Sequence, residues 1–195
     1  MKQTIMVDMD EVITDGGFLH LVNEFGKTNY TLDDVKGYYM QDLVPDKQEF
    51  FKFFITKNQY DYSRLLPDVV EVLKILQEYF DIYIGTSYTI KEIPKECGII
   101  LLQKHNFLYD NLPFIPPENY IFICNKSLLN CDIKIDDKLD NLTNAKVKLL
   151  FTAYHNKDLS DEYLQSLGVI RVNNWLEIKN ILLKEFNNED SSTKK

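Results

Sequence analysis

The chain has 195 residues, with 22 Lys and Arg against 30 Asp and Glu, for a formal net charge of −8 and a sequence pI of about 4.9. That balance excludes a nucleic-acid polymer as partner, because binders of long polyanions concentrate unbalanced cations. No apolar run approaches the roughly 20 residues needed to cross a bilayer, so no membrane partner is expected. A start with only Lys2 as positive charge, running straight into acids, lacks the zones of a secretory signal. Cys97, Cys124 and Cys131 cannot all pair within one chain and match no zinc spacing, so reduced thiols in a cytoplasmic protein are expected, with Cys124 and Cys131 simply packed. A hydrophobic fraction of 45% provides for one core, with room for a modest insertion.

In chain order, "TIMVD" is an apolar run bounded by charge, the pattern of a central strand covered on both faces. From Gly16 to about Leu65 come aromatic-rich amphipathic pieces. They are "FLHLVNEF" closed by Gly26, "TLDDVKGYYM" with Thr31 as helix cap, and "DKQEFFKFFI" after Pro45, which together predict a small helical insertion. "PDVVEVLKILQEYF" opens with Pro and Asp and repeats apolar residues at Val69, Leu73, Leu76 and Phe80, which predicts a helix. "DIYIGTS", "YIFICN", "CDIKIDD", "VKLLFTA" and "GVIRV" read as strands. "PKECGIILLQKHNF", "NKDLSDEYLQSLG" and "NWLEIKNILLKEF" read as helices, the middle one an ordinary solvated helix.

This alternation predicts an α/β, Rossmann-like three-layer fold with a mainly parallel sheet. The core comprises residues 1–15 and 66–186, the helical insertion 16–65, and a polar, frayed tail 187–195.

In such a sheet, ligand-binding groups gather where strands end at their carboxyl edges. Asp8 and Asp10 end the first strand, Thr86 and Ser87 end "DIYIGTS", Lys126 follows "YIFIC", and Asp136 and Asp137 end "CDIKIDD". Singly, Lys126 reads as a surface lysine and Thr86 with Ser87 as a helix cap; the joint placement makes a site. Crowded carboxylates repel unless they share a cation. Mg2+, a hard ion that takes oxygen ligands and phosphate, suits Asp8 and Asp136, with the Asp10 backbone carbonyl as a further ligand. Lys126 and the Thr86 hydroxyl would then balance and orient phosphate oxygens. Asp137 reads as an outer support or a turn cap, and Asp140 as a hydrogen-bonding support. His20, His105 and His155 stand at no metal spacing and read as exposed or packed.

At these positions the chain resembles the haloacid dehalogenase superfamily of phosphotransferases. "DMDEV", "GTS", Lys126 and "IDDKLD" are similar to its four motifs and stand in its order. The resemblance implies Asp8 as the nucleophile that forms an aspartyl-phosphate and Asp10 as the acid that protonates the leaving oxygen and then activates water. It further implies Thr86 and Lys126 as holders of the phosphoryl group, Asp136 as the Mg2+ ligand, and the insertion as a cap that closes over substrate.

Within the superfamily, "DMDEV", "TSY", "KSLLNCDIKIDDKLD" and "LLPDVVEVLKIL" look most like the 5'(3')-deoxyribonucleotidases. Glu11 and Asp68 stand where that family has glycine, Tyr88 where it has proline, and Lys138 where it has arginine. The resemblance implies a small phosphorylated substrate, a nucleoside monophosphate and most simply a deoxyribonucleotide. Other small phosphate esters stay open, as does a phospho-aspartate signalling module or a binding protein on a silent scaffold. Signalling receivers place their acid pair early and their hydroxyl and lysine after a separate acceptor aspartate; here the second acid pair follows the lysine. The insertion aromatics Phe18, Tyr30, Tyr38, Tyr39, Phe50 and Phe51 read first as a small core of their own.

Overall fold

A computed structural model of the chain describes residues 2–192, with side chains described through Lys184. Its regular elements in chain order are β1 (Gln3–Val7), β2 (Thr14–Asp15), α1 (Gly17–Gly26), α2 (Lys47–Phe54), β3 (Arg64–Leu65), α3 (Val69–Leu76), β4 (Phe80–Thr86), α4 (Cys97–Asn111), β5 (Tyr120–Phe122), β6 (Cys131–Asp136), β7 (Ala145–Phe151), α5 (Asp161–Ser166), β8 (Ile170–Val172) and α6 (Trp175–Ser192). Six strands form a parallel sheet in the order β5-β4-β1-β6-β7-β8. The expected α/β, Rossmann-like architecture is the one observed.

The chain first builds outward from β1 through β4 to β5, then crosses to β6 on the other side of β1. That reversal opens a crevice at the carboxyl ends of the central strands. The register levels those ends: Val7 stands opposite Ile84 on one side and Ile135 on the other.

Strand alternation sends successive side chains to opposite faces. Ile5, Val7, Leu149 and Phe151 join the main core with Val69, Val72, Leu73 and Leu76 of α3 and Trp175, Ile178 and Leu182 of α6. Leu150, one step out of phase, packs instead with Leu142, Leu164 and Val169. Both faces are therefore covered, which explains why β1, β6 and β7 read as nearly continuous apolar runs. The buried Trp175 satisfies its indole N–H on the Val12 carbonyl at 2.8 Å, tying α6 to the turn that follows β1.

Residues 17–54 build a second cluster from Leu21, Val22, Met40, Val44, Phe50, Phe51 and Phe54, completed by Ile93 and by Ile100 of α4. Phe18, Phe50, Phe51 and Phe54 pack at tilted or edge-on angles with ring centroids 5.1 to 6.4 Å apart. α2 starts on an Asp46 side chain that accepts the Glu49 N–H, and α1 ends on Lys27 in the left-handed region. The two-residue strands β2 and β3 pair antiparallel where this segment leaves and rejoins the sheet. At Gly17 a Cβ would stand 2.2 Å from the Gln59 carbonyl oxygen, so only glycine admits that close approach.

The expected helix over "TLDDVKGYYM" does not form; a single 3-10 turn, Leu32–Asp34, stands there. The Asp34 carboxylate accepts bonds from both the Thr31 N–H and hydroxyl, closing the turn on itself, and Val35 is already extended. Helix α6 runs to Ser192, so the tail expected to fray from Asn187 begins within it, and residues 193–195 lie outside the described residues. No helix among the described residues is long and apolar enough to cross a membrane.

Both places where acids stand for the glycines of the resembled family have positive φ: 61° at Glu11 and 63° at Asp68. Asp68 opens α3 without a side-chain capping bond, so nothing local offsets the cost of the left-handed backbone. Asp68→Gly is expected to raise unfolding free energy by about 0.5–1 kcal/mol at unchanged denaturant slope, read from urea titration; a loss of stability would contradict the strain.

Candidate active site

The backbone N–H of Asp8 donates to the Ile135 carbonyl at 2.9 Å, continuing the β1–β6 ladder by one step and setting Asp8 beside Asp136. Between them lies Lys126, on the single helical turn Lys126–Leu128 that follows β5. Its ammonium bridges Asp8 Oδ1 at 2.6 Å and Asp136 Oδ2 at 2.7 Å. Asp8 Oδ1 also accepts the Met9 N–H at 2.6 Å. The second oxygen of Asp136 accepts the Lys138 N–H and the Asn141 side-chain amide, each at 2.9 Å. Beneath this layer the buried Lys134 of β6 donates to the backbone carbonyls of Lys126 and Thr143 at 2.9 and 2.7 Å, pinning the lysine turn to the sheet. Burial among neutral carbonyls pushes the Lys134 pKa down.

Asp10 lies across a tight turn in which Glu11 donates to the Thr14 carbonyl at 2.8 Å. The Tyr60 hydroxyl donates to Asp10 Oδ1 at 2.8 Å, and the Lys104 ammonium pairs with Oδ2. Lys104 also donates to the Thr86 hydroxyl at 2.7 Å. Thr86 is fully buried at the end of β4, while Ser87 is half-buried beside it. Both line a cleft of about 560 Å³ that Asp8, Asp10 and Lys126 share with Phe18, Tyr38, Phe51 and Gln59 of the inserted segment.

Burial, then Asp136, raises Asp8 to about 6 against the pull of Lys126. Burial likewise raises Asp136 and Asp137. Burial alone would depress Lys126, but the Asp8 and Asp136 carboxylates outweigh it and hold the ammonium charged. Glu11 is pushed up to about 8 by burial and then by Asp137, Asp10, Asp15 and Asp8.

Oxygens of Asp8, Asp136 and Asp137 lie within 4.8 Å of one another. Three buried carboxylates around one bridging ammonium leave negative charge uncompensated, and their hard oxygen donors fit a divalent cation such as Mg2+.

The structure brings Asp8, Asp10, Thr86, Ser87, Lys126, Asp136 and Asp137 together at the carboxyl edge of the sheet, whereas Asp140 stands apart from them. It is exposed and offers the Thr143 hydroxyl only its backbone carbonyl; the supporting bond to Asp136 comes from Asn141 one residue on. Asp137, expected as an outer support, stands in the carboxylate cluster itself, and His155 holds its Oδ2 at 2.6 Å. The His155 ring packs edge-on against Tyr38 and Tyr154, so it is packed, and against the site. Cys124, expected to pack, is exposed at the cleft and bonds Thr89 at 2.8 Å.

Sequence reasoning missed Lys104, Tyr60 and His155. Lys104 carried a signal: Ile100, Lys104 and Leu108 follow at intervals of four, which puts a lysine on the buried stripe of α4. Tyr60 and His155 carried none, because their partners are 50 and 18 residues away.

A sequence profile of the family described as "5' nucleotidase, deoxy (Pyrimidine), cytosolic type C protein" matches residues 2–186. The chain belongs to the 5'(3')-deoxyribonucleotidase family. A 5'(3')-deoxyribonucleotidase of Clostridium acetobutylicum is 30% identical over 95% of this chain and 98% of its own. One of Bacillus subtilis is 29% identical over 94% and 100%. A haloacid dehalogenase-like protein from Bacteroides fragilis shares the fold, with a TM-score of 0.52 at 13% identity over 88% of this chain and 96% of that one. The family is one of phosphoric monoester hydrolases within the haloacid dehalogenase superfamily, and the chain is an enzyme of that class.

The raised pKa of Glu11 has a consequence for stability. In metal-free protein the folded state binds this proton more tightly than the unfolded chain between about 4.5 and about 8, so stability falls as pH rises through that window. Glu11→Gln removes the loss. Its melting temperature should gain on the unaltered protein progressively from acid to mildly alkaline pH, and a difference constant with pH would contradict the raised pKa of Glu11.

Proposed function

We propose that the chain hydrolyses a nucleoside monophosphate, most simply a deoxyribonucleotide, through an aspartyl-phosphate on Asp8, with residues 16–65 acting as a cap over the core 1–15 and 66–186. The observation that carries this reading is the convergence of Asp8, Asp10, Thr86 and Lys126 on one cleft at the carboxyl edge of the sheet, in a chain of this family.

Asp8 takes both of its bonds on Oδ1, from Lys126 and Met9, which leaves Oδ2 as the attacking oxygen. Attack on phosphorus forms the Oδ2–P bond and breaks the bond to the leaving oxygen, which takes the proton of Asp10, entering this step as the neutral acid. Asp10 then takes a proton from water as that water attacks the phospho-aspartate, releasing phosphate and restoring the Asp8 carboxylate. Lys126 and the Thr86 hydroxyl supply positive charge and a donor for the phosphoryl oxygens. Ser87, beside Thr86 on the cleft, offers a further donor.

Asp8 and Asp136 would hold Mg2+ together with the Asp10 backbone carbonyl. Asp137 is an equally placed ligand, since Asp136 already spends its oxygens on Lys126, Lys138 and Asn141. When bound, the ion would neutralise phosphate charge in an otherwise repulsive acidic site.

Incubation with deoxyribonucleoside monophosphates and Mg2+ should release phosphate. Chelation should abolish the release, and Asp8→Asn should lower kcat by at least about a thousandfold. Release confined to sugar phosphates would retain the hydrolase and remove the nucleotide.

A further inference from the structure

The mechanism above leaves one buried cation without a task. Lys104 is 3% exposed, held in α4 between Ile100, which packs with the inserted segment, and Leu108, which packs in the core. An ammonium so placed is costly unless partners compensate it. Its partners are the Asp10 carboxylate and the Thr86 hydroxyl oxygen.

The second bond fixes a polarity. Because Thr86 Oγ1 accepts from Lys104, its own proton must point elsewhere, and its bond to the Ser87 carbonyl is long, at 3.4 Å. A stronger acceptor entering the cleft would take that proton. An ammonium has three donors, of which Asp10 and Thr86 use two, and Lys104 lines the same cleft as Asp8 and Lys126.

We propose that Lys104 is a second phosphate-binding cation of this site. An entering phosphoryl oxygen replaces the Asp10 carboxylate on its ammonium and accepts a hydrogen bond from the Thr86 hydroxyl, leaving Asp10 Oδ2 free to face the leaving oxygen. The proposal rests on the phosphatase reading of the site. No covalent bond changes in the exchange; one charge-assisted hydrogen bond is traded for another to a more highly charged partner. The two lysines then divide the work. Lys126 holds the nucleophile beside Asp136, and Lys104 receives the phosphate on the side of the acid.

The test uses the full chain with Lys104→Met and Lys104→Arg, each checked for folding by thermal unfolding. The readouts are KM and kcat for a deoxyribonucleoside monophosphate and the competitive inhibition constant of inorganic phosphate. Lys104→Met should raise KM and the phosphate constant at least tenfold, and Lys104→Arg should recover part of both. An unchanged phosphate constant in folded Lys104→Met would overturn the proposal.

If the methionine variant does not fold, the unaltered protein decides. The 15N signal of the Lys104 ammonium, identified by its disappearance in Lys104→Arg, should shift on saturation with inorganic phosphate, and a signal that stays in place overturns the assignment. Phosphate binding that depends on Lys104 in a protein that turns over no monophosphate would support this site while removing the nucleotidase reading.

Discussion

Two parallel strands whose registers end level must put their next residues side by side, and here those residues are Asp8 and Asp136. Left alone, two buried carboxylates at that spacing repel, and at least one would keep its proton. The Lys126 ammonium between them changes the balance, since it reaches both within ordinary hydrogen-bond distance. Its position in turn depends on Lys134, whose side chain runs beneath the layer to the Lys126 carbonyl. A lysine hidden in a strand thus aims a second lysine, on the turn after β5, and that one sets the charge and direction of the Asp8 carboxylate.

The acids at left-handed positions carry a different cost. Glycine at residue 11 would relieve both the backbone and the crowding of charge, yet the chain carries a half-buried glutamate there among Asp8, Asp10, Asp15 and Asp137. Such a residue persists only where the surroundings over-determine it. Here they do: the bonds of Glu11 and Thr14 fix the turn, and the Val12 carbonyl is held by Trp175. Asp68, by contrast, opens α3 outside the acidic cluster and does not line the cleft, and its strain has no counterpart in the site.

The sheet and most of the site were legible because each relevant strand is an apolar run that stops abruptly at a polar residue, and periodicity detects that change. "TIMVD" and "CDIKIDD" announce both their burial and their ends. The two-residue strands β2 and β3 announce nothing, since a pair of residues has no period. "TLDDVKGYYM" misled for the opposite reason: its spacing is helical, but Asp34 satisfies Thr31 locally and competes with the helix. Lys104 was overlooked because a lysine on an apolar stripe reads as an interruption unless a buried carboxylate is already known to face it. The residues that escaped are those whose role depends on a partner distant in the chain.

Asp8 and Asp10, the pair to which the proposed mechanism assigns the chemistry, are therefore held by different means. Asp8 is set by sheet register and by a lysine pinned to the sheet, so its geometry belongs to the core alone. Asp10 is held by Tyr60, from the segment that leads out of the inserted region, and by Lys104, on the helix whose Ile100 completes that region's cluster. Any shift of the inserted segment against α4 is felt first at Asp10 and only secondarily at Asp8. Changes in the second cluster, at Phe51 or Phe54 for example, should then disturb protonation of the leaving oxygen more than attack on phosphorus. On the proposed mechanism, this division keeps the attacking carboxylate fixed by the core and makes the acid answer to the packing of the inserted segment.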